Sequence, residues 1–316
     1  MPDKKFDVLV VGELNIDLIL NGLEKFPEVG KEILADKMLL TMGSSSAIFA
    51  SNLSTLGSRV AFCGCIGKDN FGEKILRDLS KKNVDCSYII QSNTADTGIT
   101  VALNVNEDRA MVTYPGAMNE LKSSDITNEM LSSATHLHVS SIFLQPALKP
   151  GLVDLFRRAR ALSLTTSLDP QWDPGETWDC DLQELLPYVN VFLPNIEELK
   201  NLTAQTSIDK ALASIQKVAD TIVIKNGNTG AMLRNHTEFL DQPSFLNTDV
   251  IDAIGAGDSF NAGFIHQFIN DNTPAACLEF GALCGAINTT ESGGTTAFAD
   301  LDTVRRIALK KFNFLL

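Results

Sequence analysis

The sequence has no long apolar run. The opening stretch from Val8 to Val11 ends at Gly12-Glu13, which is too short for a signal peptide or a membrane span, so the expected location is the cytoplasm. Cations are scarce: 26 Lys and Arg face 39 Asp and Glu, a net charge of −13. That balance argues against nucleic acid or an anionic membrane surface as partner. A phosphate-bearing small molecule is not excluded, because helix termini build positive sites locally on an acidic protein. Six cysteines (Cys63, Cys65, Cys86, Cys180, Cys277, Cys284) show no C-x-x-C pairing, which removes a structural zinc site and points to reduced thiols. There are only four histidines. His136 and His138 share one face of a strand with no third ligand in view, so packing is expected rather than a metal. No G-x4-G-K-[ST] occurs, and Phe260 stands where a dinucleotide fingerprint needs its third glycine.

What the chain does have is Asp252-Ala253-Ile254-Gly255-Ala256-Gly257-Asp258-Ser259-Phe260. Thr248, Val250 and Ile251 before it read as strand. Phe260, Phe264, Ile265, Phe268 and Ile269 after it recur at helical spacing, so the glycines fall where a helix begins. A helix start offers unpaired N–H groups and the positive end of a dipole, and glycine lets an anion approach closely. An acid beside such a phosphate cradle makes sense if a hydroxyl lies between them and loses its proton as it attacks phosphorus. The alternative is a Gly-rich turn with an ordinary first-turn aspartate.

The pattern Asp252-x-x-Gly255-Ala256-Gly257-Asp258-x-Phe260 resembles the D-x-x-G-A-G-D-x-F signature of the ribokinase family, also called PfkB-type carbohydrate kinases. The resemblance implies that Asp258 is the catalytic base and that the backbone of Gly255, Ala256 and Gly257 forms an anion hole. Further landmarks follow in the family's order. Gly12-x-x-Asn15-x-Asp17 is similar to the opening G-x-x-N-x-D, which implies sugar contacts at Asn15 and Asp17. The segment from Met42 to Gly57 keeps Gly43 and Leu56-Gly57 but has Met42 for a glycine and Ala47 for an asparagine, so the substrate contacts implied around Gly43, Ser44 and Ala47 lack one polar anchor. Gln145 occupies a place where relatives carry a polar substrate ligand. Asp169-Pro170-Gln171-Trp172-Asp173 matches D-x-N-x-R only at Asp169, a further implied substrate ligand. The missing cation at Asp173 argues against a strongly anionic sugar acid.

Asn195-x-x-Glu198 looks like the family's N-x-x-E, which implies water-mediated Mg²⁺ near both residues. The same spacing also suits a capping box. Lys225-Asn226-Gly227-Asn228-Thr229-Gly230 resembles the G-x-x-G turn along the nucleotide. The helix from Pro274 to Asn288 is rich in small residues that leave room for an adenine ring, and Asn288 joins Asn195, Lys225, Gly227, Gly230 and Gly257 as expected nucleotide contacts. Asp252, with the loop from Thr289 to Thr295, is where many relatives bind a monovalent cation, K⁺ for example.

Strand and helix patterns alternate without linker or repeat. The apolar run Phe6 to Val11 reads as a strand covered on both faces, and so do Val60 to Ile66, Leu164 to Leu168 and Thr221 to Lys225. The expected fold is α/β: one doubly wound, mostly parallel sheet with helices on both faces, ribokinase-like, spanning residues 1–316. Alternation over Thr97 to Val105 and Arg109 to Tyr114, around Asn106-Glu107-Asp108, reads as a hairpin with one covered and one open face. The resemblance makes this part of a small β lid built from segments near 13–40 and 97–115, and a route to a homodimer. The expected activity is ATP-dependent phosphorylation of a primary hydroxyl on a small sugar such as ribose, fructose or a related ketose. The alternatives are a nucleoside kinase of the same fold and a catalytically silent sugar- or nucleotide-binding regulator.

Overall fold

The computed structural model describes residues 4–105 and 108–316. Met1 to Asp3, and the expected hairpin turn at Asn106 and Glu107, lie outside the described residues. The first half of the chain runs β1 (Phe6–Val11), β2 (Asn15–Asn21), β3 (Lys37–Met42), α1 (Ser45–Thr55), β4 (Val60–Cys63), β5 (Cys65–Ile66), α2 (Asn70–Lys81), β6 (Ile90–Gln91), β7 (Gly98–Val105), β8 (Asp108–Tyr114), α3 (Asn128–Ser132), β9 (Ala134–Ser140) and α4 (Leu152–Ala161). The second half runs β10 (Thr165–Asp169), α5 (Leu182–Leu185), β11 (Val191–Phe192), α6 (Ile196–Leu202), α7 (Ile208–Ile215), β12 (Thr221–Lys225), β13 (Ala231–Arg234), β14 (Phe239–Gln242), α8 (Ala256–Phe268), α9 (Pro274–Asn288) and α10 (Leu301–Phe312).

The main sheet has eight strands in the order β14-β13-β12-β11-β10-β9-β1-β4. Pairing is parallel from β12 to β4, with β13 and β14 antiparallel at one edge. The residues of β1 point alternately to two cores. Val8 and Val10 pack with Phe49 and Leu53 of α1 and Phe260 and Phe264 of α8, whereas Leu9 and Val11 pack with Leu155 and Phe156 of α4 and Leu199 of α6. Helices therefore cover both faces, which is why β1 is an apolar run with no polar alternation. The expected doubly wound α/β fold is the one observed. Among the described residues no helix is long and apolar enough to cross a membrane.

A second sheet, β3-β2-β7-β8, stands over the carboxyl ends of the main-sheet strands. Asn15 and Asp17, expected at the end of a central strand, instead open β2 of this second sheet. Its register sorts the side chains by face. Asp17, Thr41, Thr100, Ala102, Met111 and Thr113 share one face, while Leu18, Leu20, Met38, Leu40, Val101, Leu103, Val112 and Tyr114 share the other. The apolar side is the open one: Met38 is 68% and Val112 70% exposed.

Three boundaries differ from the sequence reading. The strand expected from Val60 to Ile66 breaks at Gly64, whose missing side chain would meet Gly12 O at 2.8 Å, and β5 leaves to pair with β6. The strand that carries His136 and His138 stops at Ser140, because Ser141 takes a left-handed φ of 55° and starts a 3-10 turn, so Gln145 lies beyond it. Thr248, Val250 and Ile251 form no strand. The hairpin β13–β14 already closes that edge of the sheet, so this segment crosses the end of α9 as loop, with Ile251 N bonded to Thr289 O.

Candidate active site

The carboxyl ends of β11 and β12 deliver Asn195 and Lys225 to one crevice, the usual ligand position of an open α/β sheet, while Glu13, Ser140 and Asp169, at the ends of β1, β9 and β10, are buried. Helix α8 enters it amino end first. Gly255 caps the helix at φ 76°, a left-handed conformation, and any Cβ there would lie 2.7 Å from the Gly294 backbone, so glycine is required. Ala256 N–H is partly engaged, at 3.3 Å from Ala253 O. Among the described residues no acceptor takes the N–H of Gly255, Gly257 or Asp258. These free donors at the positive end of a 13-residue helix make an anion site.

Asp258 sits in the first turn of α8 and is nearly buried. Burial and the neighbouring Asp169 push its carboxyl up to about 7, against the pull of Lys225. Asp169 is fully buried and accepts from Lys225 Nζ at 2.7 Å and from Asn261 Nδ2. Burial would lower the Lys225 ammonium, but Asp169 and Glu198 outweigh it and hold the lysine charged. Asn195 and Glu198 form the reciprocal capping box of α6, with Asn195 N–H donating to Glu198 Oε2 at 2.8 Å and Glu198 N–H to Asn195 Oδ1 at 2.9 Å. The capping and functional readings are thus compatible. Burial, then Asp169, pushes Glu198 up to about 7, against the pull of Lys225.

Two chambers open from this point. A polar one of about 350 Å³ is lined by Asp17, Ser44, Ser45, Thr100, Gln171, Asn195, Glu198, Lys225, Gly255, Gly257 and Asp258, with Ile48, Ala102 and Met111 as apolar patches. A more apolar one of about 210 Å³ runs between Gly227, Gly230, Phe245, Val250, Ala282, Gly285 and Ala286. They share Lys225, Ala253 and Gly257. The amino end of α8 is therefore the wall between them.

Of the residues expected from sequence, Asp17, Ser44, Asn195, Glu198, Lys225, Gly255, Gly257 and Asp258 face the polar chamber, and Lys225, Gly227, Gly230, Ala256 and Gly257 the apolar one. Others stand behind the walls. Asn15 donates to Asp17 Oδ1 at 2.8 Å and to Thr100 Oγ1 at 3.1 Å. A Cβ on Gly43 would lie 2.1 Å from that Asp17 oxygen, so glycine clears the space for Asp17. Ala47 is fully buried in the core. Gln145 turns its amide inward to Ser140 O and Ser141 O. The Asn288 side chain, expected at the nucleotide, lines neither chamber: it donates to Ile254 O at 2.6 Å and accepts from Ser259 Oγ at 2.9 Å, which pins the turn leading into α8. Asp252 accepts from Ile254 N and Gly293 N and ties the same turn to the 292–294 loop.

His136 and His138 are packed, as expected. Both bond Ser167, and His138 stacks on Phe49 at 3.8 Å. Asp173 points away from the chamber and accepts from the backbone of Gly175, Thr177 and Trp178. Gln171, Ser45, Thr100 and the buried Glu13 were not singled out as site residues. Ser45 lies in the run Ser44-Ser45-Ser46, and Thr100 in the alternating stretch from Thr97 to Val105. Nothing in the sequence around Gln171 signals its contacts, which reach 87 residues along the chain.

Comparison with known proteins identifies the family. The profile of a family described as pfkB family carbohydrate kinase matches residues 5–300. The chain is 28% identical over 292 residues to an ATP-dependent ribose-1-phosphate kinase of Halopiger xanaduensis, covering 92% of this chain and 94% of that one. It is 23% identical over 310 residues to an ATP-dependent 6-phosphofructokinase of Thermoanaerobacterium thermosaccharolyticum, covering 96% and 94%. In fold it matches Arabidopsis thaliana ribokinase complexed with ribose and ATP at a TM-score of 0.83, with 23% identity over 98% of this chain and 99% of that one.

Proposed function

Since the chain belongs to the pfkB family of carbohydrate kinases and is an ATP-dependent sugar kinase, we propose that Asp258 takes the proton of a primary sugar hydroxyl as that oxygen attacks the γ-phosphorus of ATP. The observation that carries this is the shared wall: an acid in one chamber, unpaired amides at the boundary and a roomy apolar slot beyond. The sugar occupies the polar chamber, its hydroxyls met by Asp17, Ser44, Ser45 and Thr100. The nucleotide lies along Gly227 and Gly230 with its base against Ala282 and Ala286. The N–H groups of Gly255 and Gly257 hold the moving phosphoryl oxygens, and Lys225 adds positive charge. Positioning and charge carry most of the barrier reduction in such a transfer.

Asn195 and Glu198 would hold Mg²⁺ through water, since hard cations of this kind keep part of their hydration shell and prefer oxygen. When bound, the ion neutralises nucleotide phosphate charge. A monovalent cation would sit beside Asp252 and stiffen the turn entering α8. The second sheet would serve as a lid over the sugar, and its apolar outer face would be covered in a homodimer.

Among the described residues, Lys225 is the sole cation of the polar chamber, and it is paired with Asp169. That favours a neutral sugar over a phosphorylated or acidic one. A second reading, a nucleoside acceptor, rests on the patch of Ile48, Ala102 and Met111. ADP release measured with neutral pentoses and hexoses, sugar phosphates and nucleosides decides between them. Turnover on a neutral sugar is expected. A clear preference for sugar phosphates would overturn the substrate class, and no turnover on any of them would overturn the activity.

A further inference from the structure

We propose that Gln171 is the positioning residue of the transfer site: its side-chain amide ties Asp258 to Asp169 and so fixes which oxygen of Asp258 meets the sugar. This rests on Asp258 acting as the base. Gln171 follows β10 with φ of 58°, in the left-handed region that a long side chain rarely adopts and that marks a conformation imposed by its surroundings. What imposes it is visible. The Gln171 backbone N–H donates to Asp169 Oδ1 at 3.2 Å, and Nε2 donates to Asp169 Oδ2 and to Asp258 Oδ1, each at 3.0 Å.

A carboxamide nitrogen has two hydrogens, and both are committed here to carboxylates. Gln171 therefore has no donor left for a sugar hydroxyl, although it lines the chamber. Its far anchor does not move freely: Asp169 is fully buried and held by Lys225 and Asn261. The chain Lys225–Asp169–Gln171–Asp258 engages Oδ1 of Asp258 and leaves Oδ2 outside the bridge. It also places two amide hydrogens between carboxylates that would otherwise repel. The groups that act on Asp258 come from several elements: Asp169 on β10 and Glu13 after β1 disfavour its charge, while Lys225 on β12 and Ser45 on α1 favour it. Asp17 on β2 and Glu198 on α6 line the same chamber.

Loss of the Gln171 donor withdraws a hydrogen bond from ionised Asp258, so the base should need a higher pH to lose its proton. The test is the pH profile of kcat in the full-length chain for Gln171→Met, which keeps the length without the donor. Gln171→Asn serves as second variant, because it suits the left-handed backbone yet is too short to bridge. Both are expected to lose about tenfold or more in kcat at pH 7, to move the acid limb to higher pH and to recover part of the deficit at pH 9. Affinity for a non-hydrolysable ATP analogue should stay within about twofold. An acid limb that coincides with that of the unmodified enzyme, or a loss equal at every pH, overturns the proposal. An Asp258→Asn enzyme that keeps near-normal turnover would instead overturn the base assignment beneath it.

Discussion

As the proposed base, Asp258 should show both in turnover and in stability. Replacing it by Asn should cut turnover by about two to four orders of magnitude, the usual worth of a general base, while ATP binding survives. Near-normal turnover in a coupled assay would refute that. The same substitution bears on stability. The Asp258 carboxyl stands at about 7 in the folded chain, raised by burial from an ordinary 3.8. Between those values the unfolded chain has released a proton that the folded chain retains, so folding loses stability as pH rises from about 4 to 7, by on the order of a few kcal/mol. Asp258→Asn should therefore raise Tm at pH 8 by about 5 °C and leave it nearly unchanged at pH 4; scanning calorimetry of the unliganded protein at both values checks this. At this scale the sequence was informative where chemistry is contiguous. Nine adjacent residues place Asp258 and the amides in one turn. It was silent where partners are remote, as with Gln171, and misleading where a side chain turns inward, as with Asn288 and Gln145. A position in a pattern says where a Cα lies and leaves the direction of its amide open.

Among the elements, α8 and α9 frame the apolar chamber proposed for the nucleotide. They approach closely because glycines face the contact. A Cβ on Gly263 would meet Cys284 Sγ at 2.6 Å, and one on Gly281 would meet Phe260 O at 3.1 Å. The small residues of α9 serve two purposes, packing on α8 and leaving the slot lined by Ala282, Gly285 and Ala286. Ala286→Leu adds three carbons, should fill that slot and raise KM for ATP by about tenfold or more, with sugar affinity unchanged. Equal effects on both substrates would show that the two chambers are not separate. Strands β1 and β12 and helix α9 lie where periodicity put them, because a continuous apolar run or a helical stripe is a local property. The expected strand at 248–251 failed for a nonlocal reason: extended apolar residues need a neighbour to pair with, and β14 had already ended the sheet.

In the molecule as a whole, the two-residue alternation of the second sheet was legible, but which face is open was not. Convention would put the apolar side inward. Here the inward side frames a polar chamber, so Asp17, Thr100 and Thr113 face in while Leu18, Val101, Val112 and Tyr114 face out. Such a face on an otherwise acidic surface fits a second copy of the chain, with apolar contact at its centre. Light scattering at micromolar concentration should report a dimer, and the double variant Met38→Lys, Val112→Lys should report a monomer of unchanged far-UV spectrum. A monomeric unmodified protein would remove the proposed interface.

The lysine at residue 225 stands in both rooms at once, and this has a thermodynamic price tag that runs in two directions. An occupant of one side that draws the ammonium away from Asp169 alters the field felt on the other. Any change that the sugar makes in the grip on ATP must be returned by ATP, factor for factor, in the grip on the sugar.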